Sequence, residues 1–223
     1  MTEKEKQQAG ELYSPNDREL VADKVKARKL CVEFNNAECN DYQKKERLLD
    51  RLLALRGDNV TLEPNFYCNF GYNTVIGNNF HAEYNCVIID NADVTFGDNI
   101  FIGPNCSFNT TVKPEDAETR SKGLEYAKPV KIGSDVEIGG NVTVSAGVTI
   151  GSNVIITPGS SVTEDIPSNC IASGTPAKPV KALAPVVRAE KTAQEAEKAP
   201  AEEKKPEPPK PRTRRLEIHR VEP

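Results

Sequence analysis

The stretch "VKIGSDVEIGGNVTVSAGVTIGSNVIITPGSSV", residues 130–162, counts in sixes. Ile132, Ile138, Val144, Ile150, Ile156 and Val162 form one series. Val136, Val142, Val148 and Val154 form a second, four residues after the first. A period of six suits neither a helix of 3.6 residues per turn nor the strict alternation of a hairpin sheet. It suits a parallel β-helix of hexapeptides, each a short strand and a turn, with about 18 residues to a triangular coil and about 4.8 Å between coils. The series residue is predicted to point inward and its two neighbours outward. Gly follows the series residue in "IGSDVE", "IGGNVT" and "IGSNVI", and Gly or Asn suits corners that need a positive φ.

Working upstream, the same habit runs through Ile76-Gly77, Ala82 and Ile88, slips by two, and resumes at Phe96-Gly97, Ile102-Gly103 and Phe108. The polar stretch "FNTTVKPEDAETRSKGLEYAKP", residues 108–129, then interrupts it and is predicted to be a protruding loop. Residues 1–57 read as helical. Ser14 is the predicted cap, with Pro15 at the first helical position and Asp17 near the positive helix end. Leu20, Val21, Val25, Ala27, Leu30, Cys31 and Phe34 follow at helical spacing. Asn40 to Gln43 reads as a second capping box, ahead of Leu48, Leu49, Leu52, Leu53 and Leu55, with Gly57 as the stop. The expected organisation is therefore a helical segment at 1–57, a β-helix domain at 58–181 and a disordered Pro/Lys/Glu-rich tail at 182–223. A basic string within the tail, "KPRTRRLEIHR", is the segment that would dock an unknown partner.

Composition limits the function. Aromatic residues make up 6% and tryptophan is absent, so the core is expected to be aliphatic. Residues 182–223 hold ten Lys/Arg and eight Asp/Glu, +2 in a chain of −4, which leaves −6 for residues 1–181. A folded part that acidic is a poor general binder of nucleic acid. No apolar run reaches the roughly 20 residues of a membrane span, and the charged start is not a secretory signal. Six cysteines without a C-x-x-C pair, and only two histidines, argue against a metal site and for isolated buried thiols in a reducing, cytoplasmic setting.

Several strings carry a family resemblance: "AGELY" (9–13), "GYNTVIGNNFHAEYNCVIID" (71–90), "VTFGDNIFIGPN" (94–105), "KPVKIG" (128–133), "GVTIG" (147–151), "GSSVTEDIP" (159–167) and "SGTPAKPVK" (173–181). With them the chain resembles the maltose/galactoside O-acetyltransferases, a branch of the hexapeptide-repeat acyltransferases. The resemblance implies a left-handed β-helix, usually a homotrimer, with active sites between neighbouring subunits. Acetyl-CoA would lie along the outside of the prism, and a hydroxyl of a small sugar-like acceptor would attack its thioester directly. Gly140 would meet the thioester through its backbone, Pro158 and Thr163 would line the pantetheine arm, and Lys178 would meet the phosphates, aided by Lys128, Lys131 and Lys181. Asp17, Asn85 and Asp90 match positions near the acceptor.

At the family's catalytic histidine, early in the protruding loop, this chain has Lys113 before Pro114. A neutral imidazole takes a proton from a hydroxyl at pH 7, whereas an alkyl ammonium does not. Two further departures accompany it. Glu137 in "SDVEIG" replaces a tryptophan, and Glu83 in "AEYN" replaces an asparagine that contacts the acceptor. Lys113 and Glu137 are expected to form a salt bridge across the old cleft, the mark of a catalytically degenerate trimer that binds a ligand or acts as a scaffold. Alternatively the chemistry has moved to His81, two residues from Glu83 on one strand face, where the carboxylate would orient the imidazole. A third alternative is an amine acceptor, which needs less help from a base.

Overall fold

The computed structural model describes residues 1–186, of which Met1–Val186 form one compact unit. The tail expected from residue 182 lies, beyond 186, outside the described residues. Three parallel sheets make the prism. The first face stacks the strands at 55–56, 74–76, 94–96, 130–132 and 149–150. The second stacks 60–62, 80–82, 100–102, 136–138, 154–156 and 170–174, edged by antiparallel 177–182. The third stacks 67–68, 87–89, 107–109, 143–144 and 161–162. Every residue of both six-step series is buried, while their outward neighbours Lys131, Glu137, Thr143 and Thr149 are exposed.

Register explains the phase slip. Ile132 pairs Ile150, Ile138 pairs Ile156 and Val144 pairs Val162, each 18 residues on. In the earlier coils Ile76 pairs Phe96, Ala82 pairs Ile102 and Ile88 pairs Phe108, each 20 residues on. The two extra residues enter at one corner, between the third face and the first, where eight steps rather than six separate Ile88 from Phe96. The polar interruption enters at that corner too, because Phe108 to Ile132 is 24 steps, the usual six plus 18. A corner already widened in the coils beneath is where the chain leaves the prism.

Asparagines hold the other corners. Asn59, Asn79 and Asn99 adopt φ of 54–58°, and their amides form a ladder with bonds of 2.9 and 3.0 Å that ends on Asp135 at 2.9 Å. A left-handed backbone suits Asn, whose short side chain bonds locally. Close coil stacking fixes the glycines: a Cβ on Gly77 would lie 2.5 Å from the Gly97 carbonyl oxygen.

Two expectations need correction. The core is not wholly aliphatic. Phe80, Phe96 and Phe108 are buried edge to face, with centroids 5.1 and 5.0 Å apart, in the 20-residue coils. The helix starts are also shifted. Helix α1, Glu3–Gln8, opens with a reciprocal Thr2/Glu5 capping box that the sequence reading missed. Helix α2, Arg18–Asn35, is capped by Asp17, whose carboxylate accepts from the Glu19 and Leu20 amides; Ser14 instead accepts the Asp17 amide in the preceding turn. Helix α3, Tyr42–Leu52, is capped by Asp41 rather than Asn40 and ends before the strand at 55–56 rather than at Gly57. In both capping errors the carboxylate nearer the first turn outcompetes the upstream polar residue, since an anion is favoured at the positive helix end.

Asp90, one of the two extra corner residues, is fully buried and accepts from four donors. The amides of Asn69 and Phe70 lie at 2.9 and 2.8 Å from one oxygen; the Gly71 amide and the Thr74 hydroxyl lie at 2.7 and 3.1 Å from the other. It thus ties the extra residues of one coil to those of the next. Burial raises its pKa to about 6, against the pull of these donors. A carboxyl whose folded pKa is raised contributes its stability below the unfolded pKa near 3.8 and loses it as pH rises through about 6. The stability advantage of the native chain over Asp90→Asn is expected to shrink between pH 4 and pH 7 in urea titrations. An advantage that grew with pH would mean that the donors outweigh burial.

Candidate active site

The loop that leaves the widened corner is pinned rather than loose. Thr111–Val112 pair antiparallel with Tyr126–Ala127, and helix α4, Ala117–Ser121, closes the far end, capped by Asp116. A bridge ties the loop to the amino-terminal segment, with Tyr13 N to Glu125 O and Glu125 N to Tyr13 O both 3.0 Å. Residues of "AGELY" and "EYAKP", more than 100 positions apart, thereby meet over the corner.

Glu125 is the centre of this meeting, and the sequence reading did not single it out. Its side chain is 5% exposed. One oxygen accepts from the Tyr13 hydroxyl at 2.6 Å and the Asn91 amide at 2.9 Å. The other accepts from the Lys113 ammonium. Asn91 also donates to the Tyr13 and Thr111 hydroxyl oxygens at 2.9 and 3.1 Å. Burial pushes the Tyr13 phenol's pKa up, so it stays a donor. Half-buried Lys24 reaches in from α2, its ammonium 5.3 Å from the Phe70 ring centroid; burial lowers its pKa within the fields of Glu125, Lys113 and Asp90. Beside Lys113 opens a cleft of about 480 Å³ lined by Leu12, Val112, Pro114, Tyr126 and Lys128.

Within the single chain Lys113 pairs with Glu125 and not with Glu137. The reason is topological. Lys113 hangs from the corner between the third and first faces, whereas Glu137 lies on the second, between Phe101 and Ile155. Within one chain a whole sheet separates them.

The other candidates fall into two groups. With Lys113 at its corner are Asp90 and, just past Val162, Thr163. On the second face and its following corner lie His81, Glu83, Asn85, Gly140 and Pro158, with Lys178 on the edge strand. His81 Nε2 is 3.2 Å from a Glu83 oxygen, and its ring stacks on Phe101 at 5.2 Å and 13°. Asn85, with φ of 64°, lends its amide to a corner ladder, at 3.1 Å from Asn65 and 2.9 Å from Asn105. The Gly140 carbonyl accepts the Gly159 amide. A Cβ on neighbouring Gly139 would lie 2.5 Å from Pro158 N, so only glycine brings these corners so close. Asp17 carries the α2 cap. Among the described residues no His/Cys/Asp/Glu cluster could hold a metal ion, and no helix is long and apolar enough to cross a membrane.

Comparison with known proteins places this architecture. Residues 6–55 match the maltose acetyltransferase hexapeptide capping motif, and residues 129–164 match six repeats of the bacterial transferase hexapeptide. A putative acetyltransferase of Saccharomyces cerevisiae is 44% identical over 175 residues, 78% of this chain and 89% of the relative. The galactoside O-acetyltransferase of Escherichia coli is 37% identical over 179 residues, 80% of this chain and 88% of the relative. Among solved structures, a maltose O-acetyltransferase from Clostridium difficile superposes with a TM-score of 0.82 at 42% identity, covering 83% of this chain and 99% of the other. A galactoside acetyltransferase in complex with coenzyme A gives 0.80 at 37% identity, covering 82% and 92%. The capping motif, the hexapeptide repeats and a likeness over 80% or more of the sequence together make this chain a member of the maltose/galactoside O-acetyltransferase family of hexapeptide-repeat acyltransferases.

Proposed function

We propose that the protein transfers an acetyl group from acetyl-CoA to a hydroxyl of a small, sugar-like acceptor, with the general base altered at residue 113. One observation carries this reading: residue 113 is presented at a cleft mouth by a pinned loop, facing a buried carboxylate whose own orientation is locked. A construction of that kind serves positioning. The active assembly is a homotrimer. In one chain the Lys113 corner and the Gly140/Pro158 corner are separated by a sheet, so a second copy is needed to bring such groups to one cleft.

The residues present suit the coenzyme. Exposed Lys128, Lys131, Lys178 and Lys181 offer cations to its phosphates. Pro158, packed against the glycine corner at 139–140, and Thr163, at the Lys113 corner, are assigned to the arm, a neighbouring copy bringing the two corners together. The bound thioester supplies the acyl carbon, and the chain's task is to orient a hydroxyl and remove its proton. Asp17 and Asn85 are assigned to the acceptor, while Asp90 shapes the corner from below. With the Lys113 side chain engaged by Glu125, the proton acceptor is weak or lies at His81, oriented by Glu83.

The second reading, a degenerate trimer serving as ligand-binding scaffold, is favoured by the Lys113–Glu125 pair, which engages the position a base would use. Calorimetry with acetyl-CoA and turnover with sugar and amine panels separate the readings. Micromolar binding with measurable sugar acetylation is expected. Binding without turnover favours the degenerate trimer, absence of binding favours a scaffold, and turnover confined to amines changes the acceptor class.

A further inference from the structure

The cysteines are not all isolated, as the sequence had led one to expect. Cys31 on α2 and Cys68 on the strand at 67–68 face each other across the seam between the helical segment and the first coil, Sγ to Sγ 3.7 Å. Both are buried, alongside Ala27, Phe34, Phe66 and Cys86. Cys106 and Cys170 are buried elsewhere in the stack, and Cys39 is exposed. Sulfur atoms in van der Waals contact need close by only about 1.7 Å to reach a bond of about 2.05 Å. The pair is also asymmetric. Cys31 is the better thiolate, its pKa lowered by the hydrogen bond from Cys68, whereas Cys68 is raised. Such a division suits a thiolate that is oxidised first and a thiol that resolves it.

We propose that Cys31 and Cys68 are a redox-modification site, at which a peroxide joins them in a reversible disulfide that staples α2 to the first coil. In the first step the Cys31 thiolate takes one peroxide oxygen to become a sulfenic acid, and the other oxygen leaves as water after protonation. In the second the Cys68 sulfur attacks the sulfenic sulfur, the S–O bond breaks, and hydroxide departs with the thiol proton as a second water. Two thiols and one peroxide thus give one disulfide and two waters. The staple would fix the helix that starts at Asp17 and carries Lys24 towards Glu125. It requires no statement about acetyl transfer and stands independently of it.

The full chain would be treated with hydrogen peroxide, alkylated before and after reduction, and mapped by peptide mass. A Cys31–Cys68 linkage is expected, with a rise in Tm of about 5–10 °C that dithiothreitol reverses, because the link closes a long loop in the unfolded chain. Cys31→Ala is expected to abolish both effects, and Cys39→Ser neither. Exposed Cys39 reports that the oxidant acted. Oxidation of Cys39 while Cys31 and Cys68 alkylate fully on unfolding would overturn the proposal. So would a linkage that lowers Tm, since the seam would then not accommodate it. The decisive measurement is on the unsubstituted chain, so a poorly folded variant would not weaken it.

Discussion

Lys113→His is expected to raise kcat for acetylation of a hydroxyl acceptor by about 10²–10⁴-fold, the usual contribution of a well-placed general base. Glu125 already stands where an orienter must stand. One oxygen is fixed by Tyr13 and Asn91, and the other faces the side chain at 113. An imidazole presented by the same loop would meet a carboxylate that needs no rearrangement, and pre-set geometry is what makes a base effective. The rate should rise with pH through the ordinary histidine range near 6.5, a profile that a merely better-packed loop would not produce. Adding Glu125→Gln to Lys113→His should remove much of the gain while leaving acetyl-CoA binding in place. Should Lys113→His fold, bind the coenzyme and turn over no faster than the native chain, the proton acceptor lies elsewhere. His81→Ala in the native chain would then be the decisive comparison, and a loss of turnover there would assign the role to His81 and Glu83.

The sequence disclosed the prism and the Lys113-Pro114 pair because both are local. A six-step count is visible in one line of text, and a lysine before a proline needs no neighbour to be noticed. What it could not disclose was which partner the lysine takes. Glu137 was the natural choice because both residues stand in strings of one resemblance, but a shared pattern does not place two side chains on one face of a chain. Glu125, twelve residues along the same loop, wins because the antiparallel pairing of Thr111–Val112 with Tyr126–Ala127 folds it back. That pairing involves only two residues per strand, too short to leave a periodic signal. Asp90 shows a similar limit. The resemblance suggested a place near the acceptor, but the four donors that occupy its oxygens come from the coil below and cannot be counted from the chain. The capping errors at Ser14 and Asn40 differ in kind, because a carboxylate one to three residues downstream was already in view.

Phe96→Ala is expected to have the largest effect on stability, about 4–5 kcal/mol, and to lower Tm by about 10–15 °C. Phe96 is 1% exposed and lies edge to face against both Phe80 and Phe108. Its importance follows from the count of residues per coil. Where coils advance by 18, isoleucine and valine fill the interior, as at Ile138, Val144 and Ile150. Where they advance by 20, the added corner residues enlarge the ring, and phenylalanine fills what a branched aliphatic would leave empty. Truncation there opens a cavity that parallel strands, hydrogen-bonded to coils above and below, cannot collapse around. Ile150→Ala, in the narrower part of the stack, should cost less, about 3 kcal/mol. Chemical denaturation of the two variants checks the difference. Equal losses would mean that the wider coils close around the missing ring, and would remove the link between the two-residue slip in the sequence and the aromatic filling of the core.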